Sequence, residues 1–304
     1  MKHRIDPKVD CVFKALLGTD ENRNLLIHFL NAILGNDLFA PITWVEIENP
    51  YNEKEFISDK LSIVDVKAKD MQQHLYQIEI QMVNKPYLPE RIIYNWADIY
   101  SQQLKSGDDY SVLKPTYSIW LLAENLLKKD EDYWHCYKLR DDKGDVLTAG
   151  GIWLLELQKF HANLINNEQQ RWLQFFKDGE ELDDADLPEW MATNEMRQAM
   201  NTLTVFSEKE RAYFQYQARQ EYLREQRTTQ KVLQQEQLEK ALAVKEKDEA
   251  LQEKEAALER EKIAQQEKAM AFERERIALA EIQQLKALLA QNVNIHVAEN
   301  KQGE

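Results

Sequence analysis

The stretch from Ser62 to Met82 constrains this chain more than any other. β-Branched and aromatic residues alternate there with polar ones on either side of a short polar turn, Met71-Gln72-Gln73, which is the pattern of a β-hairpin. A period of two places Val64, Val66 and Ala68 on one face with Tyr76, Ile78 and Ile80 of the second strand. The opposite face carries Asp65 and Lys67 beside Gln77, Glu79 and Gln81. Directly opposed residues share a face, so the turn must hold an odd number of residues. A three-residue turn pairs Asp70 with His74 and therefore Asp65 with Glu79. Two carboxylates then project side by side from positions whose Cβ atoms lie roughly 4.5–5.5 Å apart. Such a pair destabilises a hairpin unless a cation joins it, and both side chains can reach one divalent ion.

The elements around the hairpin follow from periodicity and breakers. Asp6-Pro7 reads as a helix start, with Asp6 as N-cap, leading into Cys11, Phe13, Leu16 and Leu17. After Gly18-Thr19-Asp20 a second amphipathic helix runs through Leu25, Leu26, Phe29, Leu30, Ile33 and Leu34 to Gly35. Ile42 to Glu48 alternates and stops at Pro50, which predicts a first strand. Pro89 opens a helix whose stripe is Ile92, Ile93, Trp96, Ile99, Tyr100 and Leu104, closed by Gly107. Tyr117 to Ala123 is almost continuously apolar, the mark of a strand buried on both faces. Two more strand-like runs, His135 to Leu139 and Gly151 to Leu157, are expected to extend the sheet.

Asp65 followed on an adjacent strand by Glu79-Ile80-Gln81 resembles the PD-(D/E)XK nuclease site, in the form of the Rpn recombination-promoting nucleases and related transposase-like proteins. Val64 stands where that motif has Pro, and Gln81 where it usually has Lys. The opening Asp6-x-x-x-Asp10-Cys-Val-Phe-Lys14, with Leu30-Asn-Ala-Ile-Leu34, is similar to the amino-terminal segment of the same proteins. The resemblance implies an αβββαβ core, a mixed sheet flanked by helices, with the two acids on its second and third strands. It also implies a Mg²⁺-dependent DNA endonuclease, with Mn²⁺ or Ca²⁺ as other candidate ions. Asp65 and Glu79 are then the metal ligands, with Asp10 as a third candidate. Gln81 orients water or phosphate, and Lys67, two residues from Asp65 on the same face, is the candidate cation.

Composition bears on the partner. There are 39 Lys and Arg against 53 Asp and Glu, a net charge of −14, which disfavours nonspecific nucleic-acid binding by the chain as a whole. DNA binding therefore needs locally clustered bases, for which Lys2, His3, Arg4 and Lys8, and Lys60, Lys67, Lys69, Lys85 and Arg91, are available. Cys11 and Cys136 are too far apart for a disulfide framework and lack histidine at ligand spacing. The six histidines have no zinc spacing, and no Gly-rich phosphate loop or nucleophile elbow is present. No apolar run reaches the length of a membrane span, so no membrane partner is expected and the chain reads as cytoplasmic.

The expected organisation is a nuclease-like domain over 1–160, a helical connection over 161–218, a long charged helix over 219–291 and a disordered tail over 292–304. Asp183, Asp184 and Asp186 lack the spacing of a Ca²⁺ loop and read as a solvated connection. Along the long helix apolar clusters recur about every seven residues, but the positions three and four beyond Ala250, Ala257, Ala264 and Ala271 are charged. Only half of a coiled-coil seam is present, which suggests a weak homo-oligomerisation helix or one that docks elsewhere. Two function classes follow: a metal-dependent DNA endonuclease linked to recombination or mobile elements, or a catalytically inactive nuclease fold that binds DNA or protein. A scaffold capped by the globular part ranks below both.

Overall fold

The fold was analysed in a computed structural model, which describes residues 3–48 and 65–299. Val64, Pro50, Lys60 and Lys2, which figure in the expectations above, lie outside the described residues. Residues up to Thr229 form one compact unit, and those from Gln230 onward form a second.

The compact unit is built on a six-stranded sheet of order β1-β2-β3-β4-β6-β5. The strands are β1 (Val45–Glu48), β2 (Val66–Asp70), β3 (Leu75–Gln81), β4 (Thr116–Leu122), β5 (Trp134–Tyr137) and β6 (Gly150–Glu156). β1, β2 and β3 are antiparallel neighbours, β3, β4 and β6 are parallel, and β5 returns antiparallel to β6. The helices α1 (Asp10–Leu17) and α2 (Arg23–Leu34) precede the sheet, and α3 (Leu88–Ser101) connects β3 to β4. This is the expected αβββαβ order in a mixed sheet, extended by β5 and β6.

The sheet has a core on each side. On one face α1 and α2 pack with α4 (Glu168–Asp178) and α5 (Asn194–Glu208) over Val66, Ile78, Ile80, Ile119 and Leu121. On the other, Leu88 and Ile92 of α3 pack on Trp120, Leu122 and Leu154. β3 and β4 are covered on both sides and are buried along their whole length, as parallel pairing in the middle of a sheet requires.

The structure moves several expected boundaries. Asp6 does not cap a helix; α1 starts at Asp10 after a turn. The Asp6 carboxylate instead accepts from the Lys8 backbone N–H and pairs with the Lys8 ammonium, both at 2.9 Å. These local donors satisfy it before any helical turn forms. β1 begins at Val45 rather than Ile42, because the Ile42 backbone N–H and C=O are both taken by the Asn31 side chain. The last helix, α6, runs from Glu210 to Glu299, earlier and later than the 219–291 span, and 300–304 lie outside the described residues. Every residue from 231 to 289 is exposed.

Tyr87 forms the N-cap of α3 in the left-handed region, φ 63°, with 77% of its surface exposed. A side chain in that conformation costs roughly 1–2 kcal/mol, and little packing offsets it here. Replacing Tyr87 with Gly is expected to stabilise the protein by about 0.5–1 kcal/mol after the extra unfolded-state entropy is subtracted. Urea unfolding of the two proteins measures this; an unchanged or lower midpoint would show that the tyrosine ring contributes packing.

Candidate active site

The hairpin adopts the three-residue turn. β2 and β3 pair Val66 with Ile78, Lys67 with Gln77, Ala68 with Tyr76 and Lys69 with Leu75. Continued by one residue, that register sets Asp65 across from Glu79. At the turn, Gln73 takes the left-handed conformation, φ 65°, and donates to the Asp70 carbonyl at 3.0 Å. The geometry is that of a type I turn followed by a left-handed residue.

Asp65 sits just before β2, and its Oδ2 accepts from the Ile80 backbone N–H at 3.0 Å. Its Oδ1 lies 3.3 Å from Lys14 Nζ, which reaches it from α1. Burial pushes the Asp65 carboxyl up, and Asp10 adds to this, while the Ile80 N–H and Lys14 oppose it. Glu79 is only 3% exposed, which excludes the picture of solvated charges on an open sheet face. Burial raises its pKa well above the usual range, and the facing Asp65 raises it further. Arg91 and a hydrogen bond from Gln77 work in the other direction.

Three residues from α3 and β4 complete the site. Arg91 projects one turn in from the start of α3, with Nη2 3.8 Å from Glu79 Oε2 and Nη1 donating to Gln81 Oε1 at 3.0 Å. Its guanidinium lies 5.5 Å from the centre of the Trp120 ring. Gln81 donates in turn to the Val83 carbonyl, so both ends of its amide are held. Behind Glu79, Gln77 Nε2 donates to Glu79 Oε1 at 3.3 Å and Gln77 Oε1 accepts from Ser118 Oγ at 3.3 Å. Ser118 Oγ accepts from the Trp120 indole at 2.9 Å.

The structure therefore brings together Asp65, Glu79 and Gln81 and adds Lys14 and Arg91. Lys67 shares their face but is engaged by Glu48, which pairs opposite it on β1, at 3.7 Å. Asp10 is near enough to act on Asp65 electrostatically, yet its Oδ1 accepts from Arg219 Nε of α6 and from the Cys11 N–H, both at 2.9 Å. The sequence carried a sign of Lys14, one helical turn beyond Asp10 on the same face of α1. Nothing in the sequence pattern marked Ser118 or Trp120.

The donor chemistry fits a hard divalent cation. Two carboxylates face one another in register, and both are driven toward protonation by an environment that a cation would reverse. Among the described residues no group of three or more His, Cys, Asp and Glu converges. Two carboxylates, with carbonyl or water oxygens, make the all-oxygen donor set that hard divalent cations take.

An αβββαβ core with an acid just before its second strand, a facing acid on its third and basic side chains converging on both defines the PD-(D/E)XK class of nucleases. The model of the PD-(D/E)XK nuclease family transposases matches residues 7–232, and the chain belongs to that family. Neither a curated protein nor a solved structure matches it. Family membership places the chain among nucleases associated with mobile elements, a class that generally uses divalent metals on DNA. Among the described residues no helix is long and apolar enough to cross a membrane.

The raised Glu79 carboxyl has a thermodynamic consequence. The folded chain retains a proton that the unfolded chain releases near the ordinary glutamate value of 4.5, so stability falls as pH rises from there toward the folded value. In EDTA the urea midpoint is expected to drop as pH is raised above the ordinary glutamate range. Glu79→Gln should flatten this dependence and be the more stable protein at the alkaline end. Added Mg²⁺ or Mn²⁺ should stabilise wild type but not Glu79→Gln. Identical pH profiles for the two proteins would contradict the assignment.

Proposed function

We propose that this protein is a divalent-cation-dependent DNA endonuclease acting in recombination or mobile-element movement. The observation that carries the reading is the facing pair of half-buried Asp65 and buried Glu79, with Lys14 and Arg91 converging on it from two helices. A bound cation would neutralise the scissile phosphate, lower the pKa of an attacking water and support the leaving oxygen. Asp65 and Glu79 would hold it, with the Ile80 N–H fixing the Asp65 rotamer. Gln81 cannot act as a base, because an amide has no accessible proton equilibrium. It orients Arg91 instead, and the Arg91 guanidinium, backed by Trp120, offers a planar fork to a phosphate. Lys14 is assigned the role of the lysine that Gln81 replaces, holding a positive charge beside Asp65 where water and phosphate meet. Asp10, engaged by Arg219, is assigned to positioning rather than to the metal.

The test is cleavage of supercoiled plasmid in EDTA, Mg²⁺, Mn²⁺ or Ca²⁺. Wild type is expected to nick in Mg²⁺ or Mn²⁺, and Asp65→Asn and Glu79→Gln to abolish nicking with folding retained. Lys14→Ala and Arg91→Ala should each lower the rate by about 10²–10³, the usual cost of one preorganised charge-stabilising group. Lys67→Ala should retain activity; if it loses activity while Lys14→Ala keeps it, the cation belongs to Lys67. Gln81 in the lysine position favours a second reading, a nuclease fold kept for binding. Equal behaviour of wild type, Asp65→Asn and Glu79→Gln would select it.

A further inference from the structure

The basic residues named from the sequence do not form one free face. Lys8 is paired with Asp6 and also donates to the Phe176 and Lys177 carbonyls. Lys67 and Lys69 both pair with Glu48, Arg91 with Glu79 and Arg219 with Asp10. Three arginines differ. Arg4, Arg224 and Arg227 line one cavity of about 600 Å³ between the amino-terminal segment and the first turns of α6. None of the three forms an ion pair among the described residues, and all three are exposed.

Two connections link the cavity to the candidate site. Met82, on its wall, directly follows Gln81. Arg219, five residues before Arg224 on α6, holds the Asp10 carboxylate that acts on Asp65. The frame is tied down: His3 and Tyr213 stack with ring centres 3.9 Å apart, and Tyr216 Oη accepts from the Asp6 N–H at 3.1 Å. Three carboxylates also line the cavity, Asp6, Glu180 and Glu221. Lys8 pairs with the first, and Arg4 acts electrostatically on the second, so that against Glu180 and Glu221 the three arginines leave one positive charge over. Exposed guanidinium groups not held in an ion pair are matched to phosphate, which takes their planar fork bidentately.

We propose that this cavity holds the sugar-phosphate backbone of the nucleic-acid strand adjoining the Asp65–Glu79 site, with Arg4, Arg224 and Arg227 as its phosphate contacts. The proposal rests on the nuclease reading for its ligand and deepens it: it locates a DNA-binding surface on an acidic chain. Its test does not require cleavage. Anisotropy of a fluorescein-labelled DNA duplex is titrated in EDTA at several salt concentrations with wild type, Arg4→Ala/Arg224→Ala/Arg227→Ala and Arg224→Lys/Arg227→Lys. The alanine variant is expected to bind more weakly, with the slope of log affinity against log salt reduced by roughly one for each phosphate contact removed. The lysine variant should keep most of the slope, since it keeps the charge. Inorganic phosphate at matched ionic strength should not displace the duplex; full displacement would show a site for free phosphate and overturn the proposal. An unchanged affinity and slope in the alanine variant, or a wild type that does not bind the duplex, would also overturn it. Failure of the nuclease reading is separate, since it appears as absent cleavage with the binding difference intact.

Discussion

The register of β2 against β3 is the constraint on which the site depends. Side chains alternate along a strand, so a slip of one residue would carry Glu79 into the apolar core beneath α1 and leave Asp65 without its partner. The register is fixed at the far end of the hairpin. The buried Asp70 carboxylate accepts from the His74 N–H and the Tyr76 hydroxyl, at 2.9 and 2.8 Å, and meets the His74 ring at 2.9 Å. No other pairing of the two strands would supply all three partners. Tyr76 stacks on Tyr117, and Tyr117 on Trp153, so the hairpin is also aligned with β4 and β6. A polar network at the tip thus sets the spacing of the carboxylates at the base.

The site itself works against folding. Two acids are taken out of water and faced toward each other, and the offsetting cations come from different layers. Lys14 belongs to α1, packed in the larger core, and Arg91 to α3, packed in the smaller one. Each cation is therefore only as well placed as the helix that carries it. The chain Trp120–Ser118–Gln77–Glu79 adds a polar spine between β4 and β3, where an apolar strand pair would otherwise leave Glu79 without a donor on that side. Trp120 thereby serves twice, donating through its indole to the spine and presenting its ring to Arg91.

Much of this was legible in the sequence, for identifiable reasons. The Ser62–Met82 alternation and the odd turn length determined the facing acids, because both are local. The order of elements followed from breakers and from the fully apolar β4. Contacts between elements far apart in sequence were not legible. Lys67 was the obvious cation by strand spacing, but β1 pairs Glu48 opposite it, and that register is set by tertiary packing. Asp6-Pro7 had the form of a helix cap, yet Lys8 satisfied the carboxylate locally. Arg91 was visible only as one more base near the hairpin, since its reach to Glu79 and Gln81 depends on how α3 lies over β3.

The start of α6 shows what helix propensity leaves unmarked. Good helix formers continue across the place where burial ends, so the sequence offers no break there. Three observations mark it instead: the compact unit ends at Thr229, the family match ends at 232, and uninterrupted exposure begins at Lys231. Upstream of that point Tyr216 and Leu223 are buried and Arg219 holds Asp10. That last contact matters to the chemistry. An unpaired Asp10 would set a third negative charge near Asp65 and raise its carboxyl further. By binding Asp10, the first turns of α6 partly offset the third negative charge that this carboxylate sets near Asp65, beside the charges of Lys14 and Arg91.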